Sequence, residues 1–337
     1  MSSSDVVFGR GRDEASGREF VELSLAGEDF CLPYFHRECW SLDDRYLLCT
    51  AHGRKQTFLC DLQAEAAEPL EKAWDGPVAY AHWARRQEAV WFVRGREIWL
   101  GHPGASAQRV HAVSGEGEVT DISPNGSDSG LAFILRVAGL LKRIVYVDLA
   151  DGSETVCCEG GFRWGHVQMC PSRDDLILHA DQHDGQNHQR MYSVLTSGRE
   201  HFPFYAQQRG EWVTHESWTR DGRCVTFIRH PHGLAVVDAE GANPRYFAGE
   251  DYWHCHGGNT AELIAVDGWR GRVQMLRAAD GERRLLSGDW YTAGRMIDAH
   301  HLHAHPVLSR SQGLVAHNDA RSGAGRVRVF DLTNLDW

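Results

Sequence analysis

One unit recurs along the chain: a polar residue or histidine, a short strand-like run, an acidic or glycine turn, an apolar run, a gap, and a last run ending near Asp-Leu or its equivalent. Seven copies can be traced. They begin at Cys39, His82, Asp121, His166, His215, His254 and His303, and the apolar runs within them include 46–49, 89–92, 144–149, 176–178, 225–227, 263–266 and 327–332. The runs are short, rich in Val, Ile, Phe, Tyr and Trp, and bounded by Asp, Gly, Asn and Ser, with no sustained helical period. This predicts an all-β chain. Repeats of roughly 40 to 50 residues built from short strands mark a β-propeller with one repeat per blade, so residues 1–337 are expected to form a single seven-bladed domain. The last repeat stops after about three strands, while 19–25 belong to no complete repeat. That N-terminal strand is predicted to complete the last blade and close the ring, leaving only short, protected edges.

Charge and composition narrow the function. A net charge of -11 argues against a nucleic-acid partner, which needs a basic stripe to displace counterions from phosphate, and an anionic substrate would need local positive charge. No apolar run approaches membrane-spanning length, and Met1-Ser2-Ser3-Ser4-Asp5 lacks the basic and apolar regions of a signal peptide, so the expected location is the cytoplasm, with no membrane partner. The nine cysteines lie mostly in apolar runs without Cys-x-x-Cys spacing, which suits reduced, buried thiols.

In a propeller the first strand of each blade lines the central channel, and here the residues expected just before those strands are mostly histidines: His82, His166, His215, His254, His303 and His305. His303 and His305 are two apart and leave the same face of an extended backbone, as two ligands of one ion must, and His300 is placed to enter from the preceding loop. His256 shares a strand face with His254; either fits as a ligand and His254 is preferred. His82 is expected to pack at the channel wall, and Cys255 in the core. No glycine-rich phosphate loop and no Gly-x-Ser-x-Gly elbow is present.

Several segments together resemble the oligogalacturonate lyases, a pectate-lyase family built on a seven-bladed propeller: Gly165-His166; His179 with Arg190 in Arg190-Met191-Tyr192-Ser193-Val194; Thr214-His215-Glu216-Ser217-Trp218 followed by Asp221-Gly222; His254 leading to Val266-Asp267-Gly268; and 300–306. The resemblance implies a manganese ion held by three histidines matching His254, His303 and His305, with His300 at the position of the family's glutamine. It also implies a catalytic histidine at His215, an active-site arginine at Arg190, and substrate contacts from His166 and His179. Three departures stand out. An all-imidazole set suits zinc or nickel at least as well as manganese, the third repeat lacks the family's long insertion, and a His-Arg pair of the family's N-terminal segment reads here as Cys31-Leu32.

The implied reaction is β-elimination in a 4-linked galacturonate oligosaccharide. The proton at C5 is hard to remove because the adjacent carboxylate already carries charge. A divalent ion acting as Lewis acid and Arg190 would offset that charge while neutral His215 takes the proton. Two other readings remain in view: a lyase for a different uronate-containing oligosaccharide, and a non-catalytic propeller that binds a partner or sugar.

Overall fold

The computed structural model describes residues 6–139, 141–161, 163–182, 188–249, 251–290, 302–335 and 337. Seven antiparallel sheets stand around a central channel, each running outward from its first strand. Blade 1 is Phe30–Cys31, Tyr46–Ala51, Gln56–Asp61 and Ala66–Pro69; blade 2 is Ala79–Trp83, Val90–Arg94, Glu97–Gly101 and Gln108–Ala112. Blade 3 is Glu118–Pro124, Gly130–Arg136, Lys142–Asp148 and Glu154–Gly160; blade 4 is Trp164–Met169, Leu176–Asp181, Met191–Leu195 and Phe202–Pro203. Blade 5 is Trp212–Trp218, Cys224–His230, Gly233–Asp238 and Arg245–Phe247; blade 6 is Tyr252–His256, Leu263–Gly268, Val273–Arg277 and Arg283–Ser287. Blade 7 joins both ends of the chain: Val307–Leu308, Leu314–Asp319 and Arg326–Asp331 continue into Glu19–Leu25 and then Val6–Arg12.

The ring closes as expected, with Val21 opposite Val329 and Leu23 opposite Val327. The Val6–Arg12 strand adds a fifth strand that the repeat pattern does not reveal, because Gly9 and Gly11 interrupt its alternation. Its register pairs Gly11 with Phe20, and a Cβ on Gly11 would lie 2.5 Å from the Phe20 ring. Apolar side chains fill the spaces within and between blades, including the fully buried Trp40, Trp83, Phe92, Phe133 and Phe227.

Blade 1 departs from the reading that began it at Cys39. Its innermost strand is the two-residue Phe30–Cys31, too short to carry a periodic signal, and Trp40 makes only an isolated bridge to Leu47. Residues 32–39 between them enter the channel. Glu38 reaches Arg220, at 2.6 Å, and Arg310, at 3.5 Å, while Phe35 and His36 approach the histidines of blades 4 and 5. This crossing segment divides the channel. On one side Glu38, His82, Arg85, Arg220 and His256 line a small cavity, and on the other lies a large one.

Burying so many imidazoles has a consequence in acid. Burial holds His82, His179 and His256 down at about 3 and His230 at about 4, whereas an unfolded chain protonates them near 6.5. Below 6.5 the unfolded state therefore binds more protons than the native state. Stability is intact above that pH and is lost as pH falls toward 4, at up to about 1.4 kcal/mol per pH unit for each group. Thermal unfolding followed from pH 7.5 to 4.5 is expected to show a flat Tm above pH 7 and a steep fall below 6.

Candidate active site

His303 and His305 precede the innermost strand of blade 7, whereas His82, His166, His215 and His254 lie within the innermost strands of their blades, at irregularities. The ladder shifts register between Gly165 and Gln168, between Thr214 and Ser217, and between Tyr252 and Cys255. His166 and His215 occupy the first two of these with φ of 53° and 56°, and His305 has φ of 43° just before the first strand of blade 7. Left-handed backbone at three β-branch-free polar residues costs of order 1–3 kcal/mol each, and bulges of this kind re-aim side chains. Their effect here is convergence. The His215 ring lies 4.0 Å from that of His254, which lies 4.0 Å from that of His305.

His254, His303 and His305 form a candidate metal centre, with one ligand nitrogen from each within 4.8 Å of the others and all three buried. Asp267 organises the set. It accepts from the His254 backbone N–H at 2.6 Å and from the His305 N–H at 3.1 Å, and pairs with His254 Nδ1 at 2.7 Å. A carboxylate on Nδ1 fixes the proton there and presents Nε2 as the electron-pair donor, the usual way a carboxylate supports a metal-binding imidazole. Burial pushes the Asp267 carboxyl up to about 7 against the opposing pull of those backbone donors. Trp253 Nε1 donates to His303 Nδ1 at 3.0 Å, a contact that engages the one lone pair of the neutral ring and that a metal ion on His303 would displace. Three neutral nitrogen donors with a supporting carboxylate fit a borderline divalent transition ion. His256 points away: its Nδ1 accepts from the N–H groups of Gly258 and Leu308, and it lines the small cavity with Glu38 and His82. His300 lies outside the described residues. Asp267→Asn is expected to weaken metal binding by about 10–100-fold, measured by titration with Mn2+ or Zn2+, while the protein stays folded.

Beside this centre opens a cavity of about 730 Å³, lined among others by His166, Arg190, Thr214 and His215. His215 Nδ1 lies 3.1 Å from Thr214 Oγ1. With Nδ1–H donating to that hydroxyl, Nε2 keeps the lone pair. Burial, then His254 and Arg190, hold the imidazole well below its usual pKa, in the neutral form a base needs. Arg190 and His166 meet on Glu216, which is fully buried: Arg190 Nε donates to Oε2 at 2.7 Å and His166 Nδ1 to Oε1 at 2.8 Å. Burial alone would raise the Glu216 carboxyl, yet Arg190 and His166 together hold it below the ordinary range. His166 itself is held near 4, chiefly by burial.

Sequence reasoning missed several members of this site. Asp121 stands where other blades carry histidine, and it binds His36 Nε2 at 2.9 Å and Arg37 Nε at 3.3 Å. Both partners line the cavity, and the His36 ring stacks on His166 at 4.9 Å. A His-Arg pair is thus present after all, five residues beyond Cys31-Leu32, and only the crossing segment brings it in. Trp212, Trp253 and Trp269 form an aromatic wall, with the last two centroids 3.7 Å apart.

The structure places His179 apart from the other candidates. It does not line the cavity but is buried inside blade 4, its Nε2 3.1 Å from His201 Nε2 and its ring 4.6 Å from Trp164. Its side chain is turned into the blade, packed against Trp164, Tyr192 and His201 rather than toward the channel.

The site's charge is opposite to that of the whole. Among the described residues Arg37, Lys142 and Arg190 line the cavity against one lining carboxylate, Asp121, which is paired with His36 and Arg37, while Glu216 is buried behind Arg190. Within a chain of net charge -11, low-dielectric walls focus that local positive field toward an anion.

No protein-family model matches the sequence, and no curated protein matches it. Solved structures do. An oligogalacturonate lyase in complex with manganese superposes with a TM-score of 0.84 at 17% identity, and an oligogalacturonate lyase from Vibrio parahaemolyticus with a TM-score of 0.81 at 16%, each covering 99% of both chains. The Swd1 β-propeller domain superposes less closely, with a TM-score of 0.59 at 13% identity over 92% of this chain and 99% of that one. The chain therefore has the seven-bladed fold of the oligogalacturonate lyases over nearly its whole length.

Proposed function

We propose that this protein is a metal-dependent lyase that cleaves short 4-linked galacturonate oligosaccharides by β-elimination in the cytoplasm. The observation that carries the reading is the juxtaposition of a neutral His215, the Glu216-bound Arg190 and the His254, His303 and His305 cluster beside a cavity walled with cations. The likeness to oligogalacturonate lyases supports the same reading.

Each residue has a task the geometry allows. Arg37, Lys142 and Arg190 draw the polyanion into the cavity. The tryptophan wall offers flat apolar faces for a pyranose ring. Glu216 takes one edge of the Arg190 guanidinium and leaves its other N–H groups for the carboxylate next to C5. Nε2 of His215 accepts the C5 proton, and as negative charge moves onto the carboxylate Arg190 stabilises it. Departure of the C4 oxygen, protonated by water, leaves a 4,5-unsaturated uronate. A divalent ion held by His254, His303 and His305, manganese in the first instance and zinc or nickel by donor type, would supply further positive charge at that carboxylate.

Product mass separates this from hydrolysis and from a neighbouring specificity. Incubation with digalacturonate should give fragments whose masses sum to that of the substrate, with no water gained. Turnover of another uronide with none of digalacturonate would overturn the galacturonate assignment while keeping the chemistry, and no turnover in the whole panel would leave a binding propeller.

A further inference from the structure

His179, excluded from the channel, belongs to a second cluster on the outer part of the ring. Cys158 comes from the last strand of blade 3, His179 from the second strand of blade 4, and His201 from the residue before its fourth strand. One ligand atom from each lies within 4.8 Å of the others. The two imidazoles face each other through their Nε2 atoms at 3.1 Å, a contact in which only one of the pair can carry the proton. Trp164 and Tyr192 enclose them, with Trp164 4.6 Å from the His179 ring and Tyr192 5.3 Å from that of His201. The burial is graded: His179 is fully buried, Cys158 half-buried and His201 exposed, so an ion could enter from solvent and keep a water in a fourth position.

We infer that Cys158, His179 and His201 form a second metal site, specific for a thiophilic divalent transition ion such as Zn2+, which would bridge blades 3 and 4. One thiolate and two imidazoles are a donor set that manganese, magnesium and calcium bind poorly and zinc binds well, so this cluster discriminates against manganese by ligand type. Proton balance on binding is simple. The Cys158 thiol releases its proton to solvent, and the proton lying between the two Nε2 atoms moves to an Nδ1, so both Nε2 lone pairs become ligands. Burial and the neighbouring Cys157 push the free Cys158 thiol up to about 12. Burial holds His179 at about 3 and also lowers His201.

Cobalt reports the site directly, because a thiolate on Co2+ gives an intense near-ultraviolet charge-transfer band and an all-imidazole site gives none. The full-length protein titrated with Co2+ should show that band. His303→Ala should retain it, Cys158→Ser and His201→Ala should lose it, and Zn2+ but not Mn2+ should displace it. His201 is exposed, so its replacement tests ligation without threatening the fold. Absence of the band, or its survival in Cys158→Ser, would overturn the assignment whether or not the protein proves to be a lyase.

Discussion

His215→Asn is expected to lower kcat on oligogalacturonate by about 10²–10⁴-fold, the usual contribution of a positioned general base. Asparagine is the informative replacement because His215 has φ of 56°, and asparagine tolerates left-handed backbone better than alanine does. The side chain lies beside the metal cluster without being one of its three members, so metal content should match the wild type. Neighbouring contacts with Phe35 and Trp253, at 5.3 and 5.1 Å between centroids, leave room for the smaller amide. A drop in kcat with unchanged metal stoichiometry and unchanged Tm separates loss of the base from loss of the site. A variant that kept wild-type kcat would remove His215 from the proton-transfer step.

Arg190→Ala should have the largest combined effect, on stability as well as on turnover. Its guanidinium is the main cation on Glu216, whose side chain has no exposure to solvent. Truncation leaves that carboxylate buried beside His166 alone. Removing one partner of a buried ion pair typically costs about 3–5 kcal/mol, most of it the burden of the charge left behind. The double variant Arg190→Ala with Glu216→Gln removes both charges, so it should regain much of the Tm lost by the single one. Activity should not return with it, because the substrate carboxylate still lacks its donor. Chemical denaturation of the wild type, the two single variants and the double variant measures the stability coupling. Kinetics on the same four proteins show whether activity follows stability or the arginine.

Much of the architecture is legible in the chain because short alternating runs and their turns recur with one period. The seven repeats and the closure through 19–25 follow from that pattern alone. What the pattern does not carry is irregular backbone. Residues 32–39 have no strand period and nothing in them announces a channel crossing, yet they deliver His36, Arg37 and Glu38. Alternation also misleads at Glu216. Adjacent residues of a regular strand point to opposite faces, but the register shift between Thr214 and Ser217 breaks that rule, and His215 and Glu216 serve one site. Asp267 lies 13 residues from His254 on the next strand, joined to it only by pairing within blade 6. His179 shows the opposite case, a residue whose motif suggested the cavity and whose side chain packs inside blade 4 instead.

The central claim is that an ion at the His254, His303 and His305 cluster and His215 together serve an elimination. Ultraviolet absorbance of the conjugated 4,5-unsaturated product tests it in one cuvette, with digalacturonate as substrate, first with the protein as purified and metal-loaded, then after chelation, then with manganese restored. Absorbance that rises, stops with chelator and returns with manganese is the predicted result. Absorbance that never rises with any divalent ion, or that continues unchanged through chelation verified by metal analysis, contradicts it.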